Sequence, residues 1–74
     1  MKLCDAQKNE MYLIEDIQAQ EQIAGRLEAL GMNEGTLIKI LNKKRRGAMI
    51  ISVRGTRMAV GGGIAERIEV SRHE

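Results

Sequence analysis

The spacing of two glycines, Gly31 and Gly35, constrains the fold of this chain more than any other feature. Before Gly31, the residues Ile23, Leu27 and Leu30 fall on one face of a helix. Gly31 follows the last of them, at the position where a helix ends in a left-handed turn that glycine adopts without steric cost. After Gly35 the apolar residues recur at every second position, which is the period of a β-strand. The segment therefore predicts a helix, a glycine stop and a strand in close succession, as in a compact α+β unit.

Alternating apolar residues predict about five short strands around this helix. The expected strands cover residues 11–17, 36–43, 48–54, 57–60 and 68–70, and the helix runs from residue 19 or 20 to residue 30. Gly55 supplies the turn between the third and fourth strands. Short strands joined by tight turns are typical of a small barrel. We therefore predict a mainly β (α+β) fold in a single domain, 1–74, with one helix inserted after the first strand and residues 71–74 as a frayed tail.

The order of these motifs resembles one known family. Residues 26–40, Arg-Leu-x-x-Leu-Gly-x-x-x-Gly-Thr-x-Ile-x-Ile, are similar to the signature of the FeoA family, small cytosolic accessory proteins of ferrous-iron uptake. Residues 51–60 and 65–70 resemble the end of that family's pattern, and residues 3–6 with Tyr12, Ile14 and Ile17 resemble its beginning. The resemblance covers nearly the whole chain and implies that the small barrel is SH3-like.

The resemblance also implies a function. The chain would be a non-catalytic adaptor or regulator of bacterial ferrous-iron uptake, in a family associated with the handling of transition metal ions. It would bind the cytosolic part of a FeoB-type transport GTPase, in the cytoplasm or recruited by that partner to the inner face of the cell membrane. Two other functions suit a small barrel: contact with RNA or the ribosome, and the regulatory domain of a metal-dependent repressor. The length of 74 residues disfavours the appended domain, and the lack of aromatic residues for base stacking disfavours RNA. The sequence leaves open whether the chain forms a homo-oligomer.

Composition argues against several classes of protein. A formal net charge of +2 is too small to indicate nucleic-acid binding by itself. No apolar run is long enough to cross a bilayer, so we expect at most peripheral membrane contact. The first residues are too polar for a secretory signal, which favours the cytosol. Cys4, the single cysteine, is expected to be a reduced and half-buried thiol.

The chain offers little equipment for catalysis or metal binding. General acid–base catalysis needs a positioned His or carboxylate, and the single histidine, His73, lies next to the last residue. The only local group of metal-binding types, Glu69, His73 and Glu74, falls on the predicted tail. We therefore predict no catalytic residue, no cofactor and no tight metal site.

A run of four cations is the first candidate for partner binding: Lys43, Lys44, Arg45 and Arg46. We expect them at the tip of a hairpin, either simply solvated or in electrostatic contact with an acidic protein surface or anionic lipid. Neighbouring apolar residues are the second candidate, either covered by the helix or exposed as a contact patch. These are Leu37, Leu41 and Met49.

A run of three glycines, Gly61, Gly62 and Gly63, follows the fourth predicted strand. It lacks the Lys-Ser/Thr ending of a phosphate-binding P-loop. We therefore predict a flexible connection of raised mobility, with residues 61–67 irregular or in one helical turn.

Overall fold

A computed structural model of the protein, which describes residues 1–73, contains one antiparallel sheet of five strands. The strands are β1 (Met11–Ile17), β2 (Leu37–Lys43), β3 (Met49–Val53), β4 (Thr56–Val60) and β5 (Ile68–Arg72). Their order across the sheet is β4-β3-β2-β1-β5, so β4 and β5 form its two edges. Helix α1 (Glu21–Ala29) lies between β1 and β2, and a short helix α2 (Gly62–Ala65) lies between β4 and β5. Two 3-10 turns cover Leu3–Asp5 and Arg45–Gly47. The predicted mainly β, barrel-like fold with a helix after the first strand is confirmed.

Alternation along the strands, interrupted by one register shift in β1 and one in β2, places one set of side chains in the core. On β3, for example, Met49, Ile51 and Val53 are buried, and the residues between them are only partly covered. The core is aliphatic except for Tyr12, whose ring is fully buried. The Tyr12 hydroxyl accepts a hydrogen bond of 2.8 Å from the backbone N–H of Gln7, so the one polar atom of this ring has a partner.

Helix α1 is anchored mainly at its C-terminal end. The Gly31 N–H donates to the Glu28 carbonyl at 2.9 Å, and the Met32 N–H donates to the Leu27 carbonyl at 2.8 Å. These two bonds form a Schellman motif, which requires the left-handed φ of +94° found at Gly31. Leu27 is the one buried residue of α1, and Met32 is fully buried in the core. The cap therefore joins the helix to the core at the point where the chain turns toward β2.

The other two predicted turn glycines also have positive φ. Gly35 has a φ of +83° just before β2, and Gly55 has a φ of +79° between β3 and β4. Both conformations are ones that side chains with a Cβ rarely adopt, so glycine suits both positions.

The C-terminal end of the sheet is longer than predicted. Ser71 pairs with Leu13 and Arg72 pairs with Tyr12, so both belong to β5. The backbone N–H of His73 donates to the Met11 carbonyl at 3.0 Å. The prediction of a frayed tail from residue 71 is wrong for residues 71–73, because pairing with β1 continues past the last apolar residue of the strand. Glu74 lies outside the described residues.

The glycine cap is open to a direct stability test. Gly31→Val should lower the free energy of unfolding by about 1–3 kcal/mol, because a β-branched residue would be held at a strongly unfavourable φ. Gly25→Ala is the matched control, since Gly25 lies within α1 and a Cβ there would meet nothing within 4 Å. That change should raise the free energy of unfolding by about 0.5–1 kcal/mol. Urea denaturation of the three proteins measures both effects, and equal stability of Gly31→Val and the parent would contradict the cap.

Candidate partner-binding face

The side chains that alternate with the core residues form what we call the outer face of the sheet. Its members on β1 to β4 are partly or fully exposed: Met11, Leu13, Glu15, Leu37, Lys39, Leu41, Asn42, Ile50, Ser52, Arg57 and Ala59. Strand register brings residues distant in sequence together. Met11 pairs with Lys39, Lys39 with Ser52, and Ser52 with Arg57. One row of side chains therefore crosses four strands.

The first groove on this face joins apolar and cationic side chains. It is an open groove of about 770 Å³, lined among others by Met11, Leu37, Lys39 and Arg54. Met11 and Leu37 are 37% and 36% exposed, so part of each apolar side chain faces solvent. Lys39 and Arg54 are both exposed beside them, with Glu34 as the one acidic lining residue. An apolar surface flanked by cations is thus open to a partner.

The second groove lies on the same face toward the other end of β2. It has a volume of about 460 Å³ and is lined by Leu41, Asn42, Lys44, Ile50 and Arg57. A register shift between Ile40 and Asn42 places an extra residue of β2 opposite β3 at this point. Here too the apolar side chains have cations beside them, and no acidic residue lines the groove.

The cations of both grooves are free of internal partners. In the part of the chain that the structure describes, the one ion pair joins the Met1 amino group and the Glu69 carboxylate at 3.4 Å. Lys39, Lys44, Arg54 and Arg57 therefore form no ion pair with another residue among 1–73. Their charge is available to an acidic partner.

The structure divides the residues predicted for partner binding into separate places. Leu37 begins β2 and Lys43 ends it, a separation of about 20 Å along an extended strand. Leu37 lies in the first groove, whereas Leu41 lies with Lys44 in the second. The prediction that Met49 contributes an exposed contact is wrong. Its side chain is 1% exposed, because the alternation of β3 turns it into the core.

The four consecutive cations lie at the tip of the β2–β3 hairpin, as predicted, and the backbone of this loop is hydrogen-bonded. Lys43 is the last residue of β2, and the Lys44 N–H donates to the Ala48 carbonyl at 2.7 Å. Arg45 and Arg46 belong to a 3-10 turn in which Arg46 has a φ of +59°. All four side chains are nevertheless exposed. The cations therefore project from a loop whose backbone is held in place.

Helix α2 provides part of that support. Gly62 approaches the Arg46 carbonyl so closely that a Cβ on Gly62 would collide with it. A Cβ on Gly47 would in turn meet the Gly62 Cα at 3.5 Å. The prediction of a flexible glycine connection did not anticipate this close backbone packing of Gly62. The helical turn predicted as one alternative for residues 61–67 is present as α2, which contains Gly62 and Gly63.

Sequence reasoning missed three cations of this candidate site: Lys39 and Arg57 on the outer face, and Arg54 in the turn beside the first groove. They are isolated in the sequence, so they form no visible charge run. The two-residue period of the strands could have identified two of them, since Lys39 and Arg57 occupy positions that alternate with core residues. Only the pairing of β2, β3 and β4 shows that these positions adjoin.

The residues considered as metal ligands do not converge. Among residues 1–73, no group of three or more His, Cys, Asp or Glu is placed to hold a metal ion. Glu69 is engaged by the Met1 amino group, and Cys4, which is half-buried, lies 4.0 Å from the Asp5 carboxylate. In the same range, no helix has the length and apolar character needed to cross a membrane.

Comparison with known proteins gives consistent matches. The family model described as the FeoA domain matches residues 1–72. A protein of Methanocaldococcus jannaschii, provisionally named Fe(2+) transport protein A, is 32% identical over 72 residues, which cover 97% of this chain and 87% of that protein. The crystal structure of an iron uptake regulatory protein (FeoA) is 27% identical with a TM-score of 0.89, over 99% of this chain and 97% of that one.

A further solved structure adds the fold description. FeoA of Stenotrophomonas maltophilia, crystallised with zinc, is 28% identical with a TM-score of 0.81, over 96% of this chain and 89% of that one. It is described as a prokaryotic SH3 domain protein and a candidate activating factor of ferrous-iron transport. The open five-stranded sheet described above is thus similar to an SH3-like fold.

The close packing of α2 on the loop predicts a large difference between adjacent glycines. Gly62→Ala should lower the free energy of unfolding by about 1–3 kcal/mol, because the added methyl group must displace the Arg46 carbonyl. Gly63→Ala is the control, since a Cβ there would meet nothing within 4 Å. Thermal unfolding of both variants makes the comparison, and equal melting temperatures would contradict the packing.

For metal, we expect no stoichiometric binding of Fe²⁺ or Zn²⁺ at micromolar affinity, because the His, Cys and carboxylate groups of residues 1–73 are dispersed. Isothermal titration calorimetry, under anaerobic conditions for Fe²⁺, measures this. A tight one-to-one site that disappears in His73→Ala would overturn the expectation.

Proposed function

Because the chain belongs to the FeoA domain family, we propose that it is an accessory protein of ferrous-iron uptake that binds the cytosolic part of a FeoB-type transport GTPase. In this proposal the chain acts in the cytoplasm, at the inner face of the membrane that holds the transporter. It contributes by binding, as a non-catalytic adaptor or regulator. Ferrous iron is the cargo of the transporter.

The observation that carries the proposal is the outer face, where exposed apolar side chains lie beside unpaired cations. Burial of Met11, Leu37 and Ile50 against a partner would supply the hydrophobic part of the contact. Lys39, Arg54 and Arg57 would supply the charge. Charges at the rim of an interface mainly accelerate association and set its salt dependence, whereas the apolar centre determines how long the complex lasts. The face therefore suits an acidic protein surface with an apolar centre.

Two sets of cations are distinguished by two variants. The face variant carries Arg54→Asn and Arg57→Gln, with Asn chosen because the φ of +52° at residue 54 tolerates it. The loop variant replaces Lys43, Lys44 and Arg45 with Ser and Arg46 with Asn. The control variant carries Lys8→Gln and Arg26→Gln. It loses two positive charges, as the face variant does, but from exposed positions outside both grooves.

We expect the face variant to associate with the purified transport GTPase about tenfold more slowly than the parent at low ionic strength. Its association rate should also depend less on salt. The loop variant should show a smaller decrease, because only Lys44 of its four cations lines a groove. Surface plasmon resonance over a range of salt concentrations gives these rates. If the face variant and the control behave alike, the outer face is not the contact surface.

A further inference from the structure

The two edges of the sheet differ in whether other parts of the chain cover them. At the β5 edge, the Val70 N–H donates to the Met1 carbonyl at 2.8 Å, and Lys2 forms an antiparallel bridge with Glu69. At the β4 edge, β3 is the only strand neighbour. Within residues 1–73, β4 is therefore the edge left open for a further strand.

The turn before β4 determines which of its backbone groups face that opening. Arg54 and Gly55 both have positive φ, +52° and +79°, as in a type I′ hairpin turn. Such a turn makes the flanking residues, Val53 and Thr56, a hydrogen-bonded pair. Because bonded and non-bonded pairs alternate along an antiparallel ladder, Arg57 and Ala59 direct their N–H and C=O groups away from β3.

These outward groups are unused and accessible. Apart from the β3–β4 ladder, neither Arg57 nor Ala59 makes a backbone hydrogen bond with another described residue. Both residues are exposed. The edge thus presents two N–H donors and two C=O acceptors, enough for four backbone bonds to an added strand.

The side chains beside this edge determine which residues an added strand should carry. Arg57 lines the second groove together with Lys44, and no acidic residue lines it. Ala59 pairs with Ile50, and its methyl side chain leaves the way open to the apolar groove residues Ile50 and Leu41. A strand added at β4 would thus meet positive charge opposite residue 57 and an apolar groove beyond residue 59.

We propose that β4 binds an extended acidic segment of its partner by strand addition, with an acidic side chain opposite Arg57 and an apolar side chain opposite Ala59. Side chains on one face of a strand recur at every second residue, so the acidic and the apolar residue of the partner lie two positions apart. Which of them comes first depends on whether the added strand runs parallel or antiparallel to β4. This inference rests on the proposed function only for the identity of the partner, the cytosolic part of the transport GTPase.

Charge favours an acidic segment over a second copy of this chain. Pairing β4 with β4 of another copy would bring the Arg57 and Lys44 side chains of both copies to one junction. Like charges placed close together across strands are destabilising. An acidic strand instead neutralises cations that have no ion pair among residues 1–73.

A capped heptapeptide, Thr-Glu-Thr-Leu-Thr-Glu-Thr, is the probe, because it offers the acidic and apolar residues in either strand direction. On titration, we expect the amide NMR signals of Arg57 and Ala59 to shift and their exchange with solvent to slow. The same peptide with Lys in place of Glu should bind at least about tenfold more weakly.

Two variants of residue 59 separate backbone pairing from charge. Ala59→Pro removes the outward N–H without touching the β3–β4 ladder, a position where an edge strand tolerates proline. It should weaken peptide binding by about tenfold, because the peptide carbonyl loses its donor. Ala59→Ser keeps the N–H and should bind like the parent. If Ala59→Pro melts earlier than the parent, the peptide N-methylated at its Leu and at the Thr that follows replaces it as the test, with the same expected loss. One of these two N–H groups faces β4 in either strand direction.

Several results would overturn strand addition. These are equal peptide binding by the parent and by Ala59→Pro, absence of any shift at Arg57 and Ala59, and shifts there that depend only on the concentration of the protein, which would indicate self-pairing. In the GTPase assay, binding that survives Ala59→Pro also overturns strand addition but leaves the proposed function intact. Failure of the parent to bind the GTPase overturns the proposed function, and the peptide titration then decides the role of β4 by itself.

Discussion

The two-residue turn at Arg54 and Gly55 sets the register of β3 against β4, and that register determines which side chains are buried. With Val53 opposite Thr56, the residues Met49, Ile51 and Val53 all face the core. A shift of one residue in this pairing would reverse the faces of β4. Arg57 would then point toward the core, where an unpaired charge is strongly unfavourable. The turn and the charge of Arg57 therefore specify the same register.

The same register gives the outer face its electrostatic character. Lys39, Ser52 and Arg57 come from three strands, and pairing places them in one row. A net charge of only +2 hides this local concentration, because acidic residues are distributed over the rest of the sequence. A nearly neutral protein can therefore present a locally positive surface to one partner.

Local sequence patterns predicted most of the fold. Strands β1 to β4 and the left-handed glycines at 31, 35 and 55 follow from period, turn chemistry and steric limits, all of which act over a few residues. The errors concern interactions between distant segments. Gly62 is required by the carbonyl of Arg46, and β5 extends through Arg72 because β1 continues beside it. Neither cause is visible in the neighbouring sequence.

Prediction of the candidate site was limited for a similar reason. The run of four cations is conspicuous in the sequence, yet only Lys44 lines a groove. Alternation along β3 puts Met49 on the same face as Ile51 and Val53, but a strand pattern does not say which face is covered. That decision depends on the packing of the whole sheet. Arg57 enters the site through strand pairing alone, and Arg54 lines the first groove from the turn between β3 and β4.

The buried ring of Tyr12 has a consequence for how this protein can be observed. The chain contains no Trp and no Phe, so Tyr12 is its one intrinsic fluorophore. Its ring lies on the core side of the sheet, away from the outer face. Tyrosine emission therefore reports the integrity of the core when the protein is unfolded by itself. A change in this emission during denaturation marks the loss of the packing around Tyr12, without a second fluorophore to separate from it.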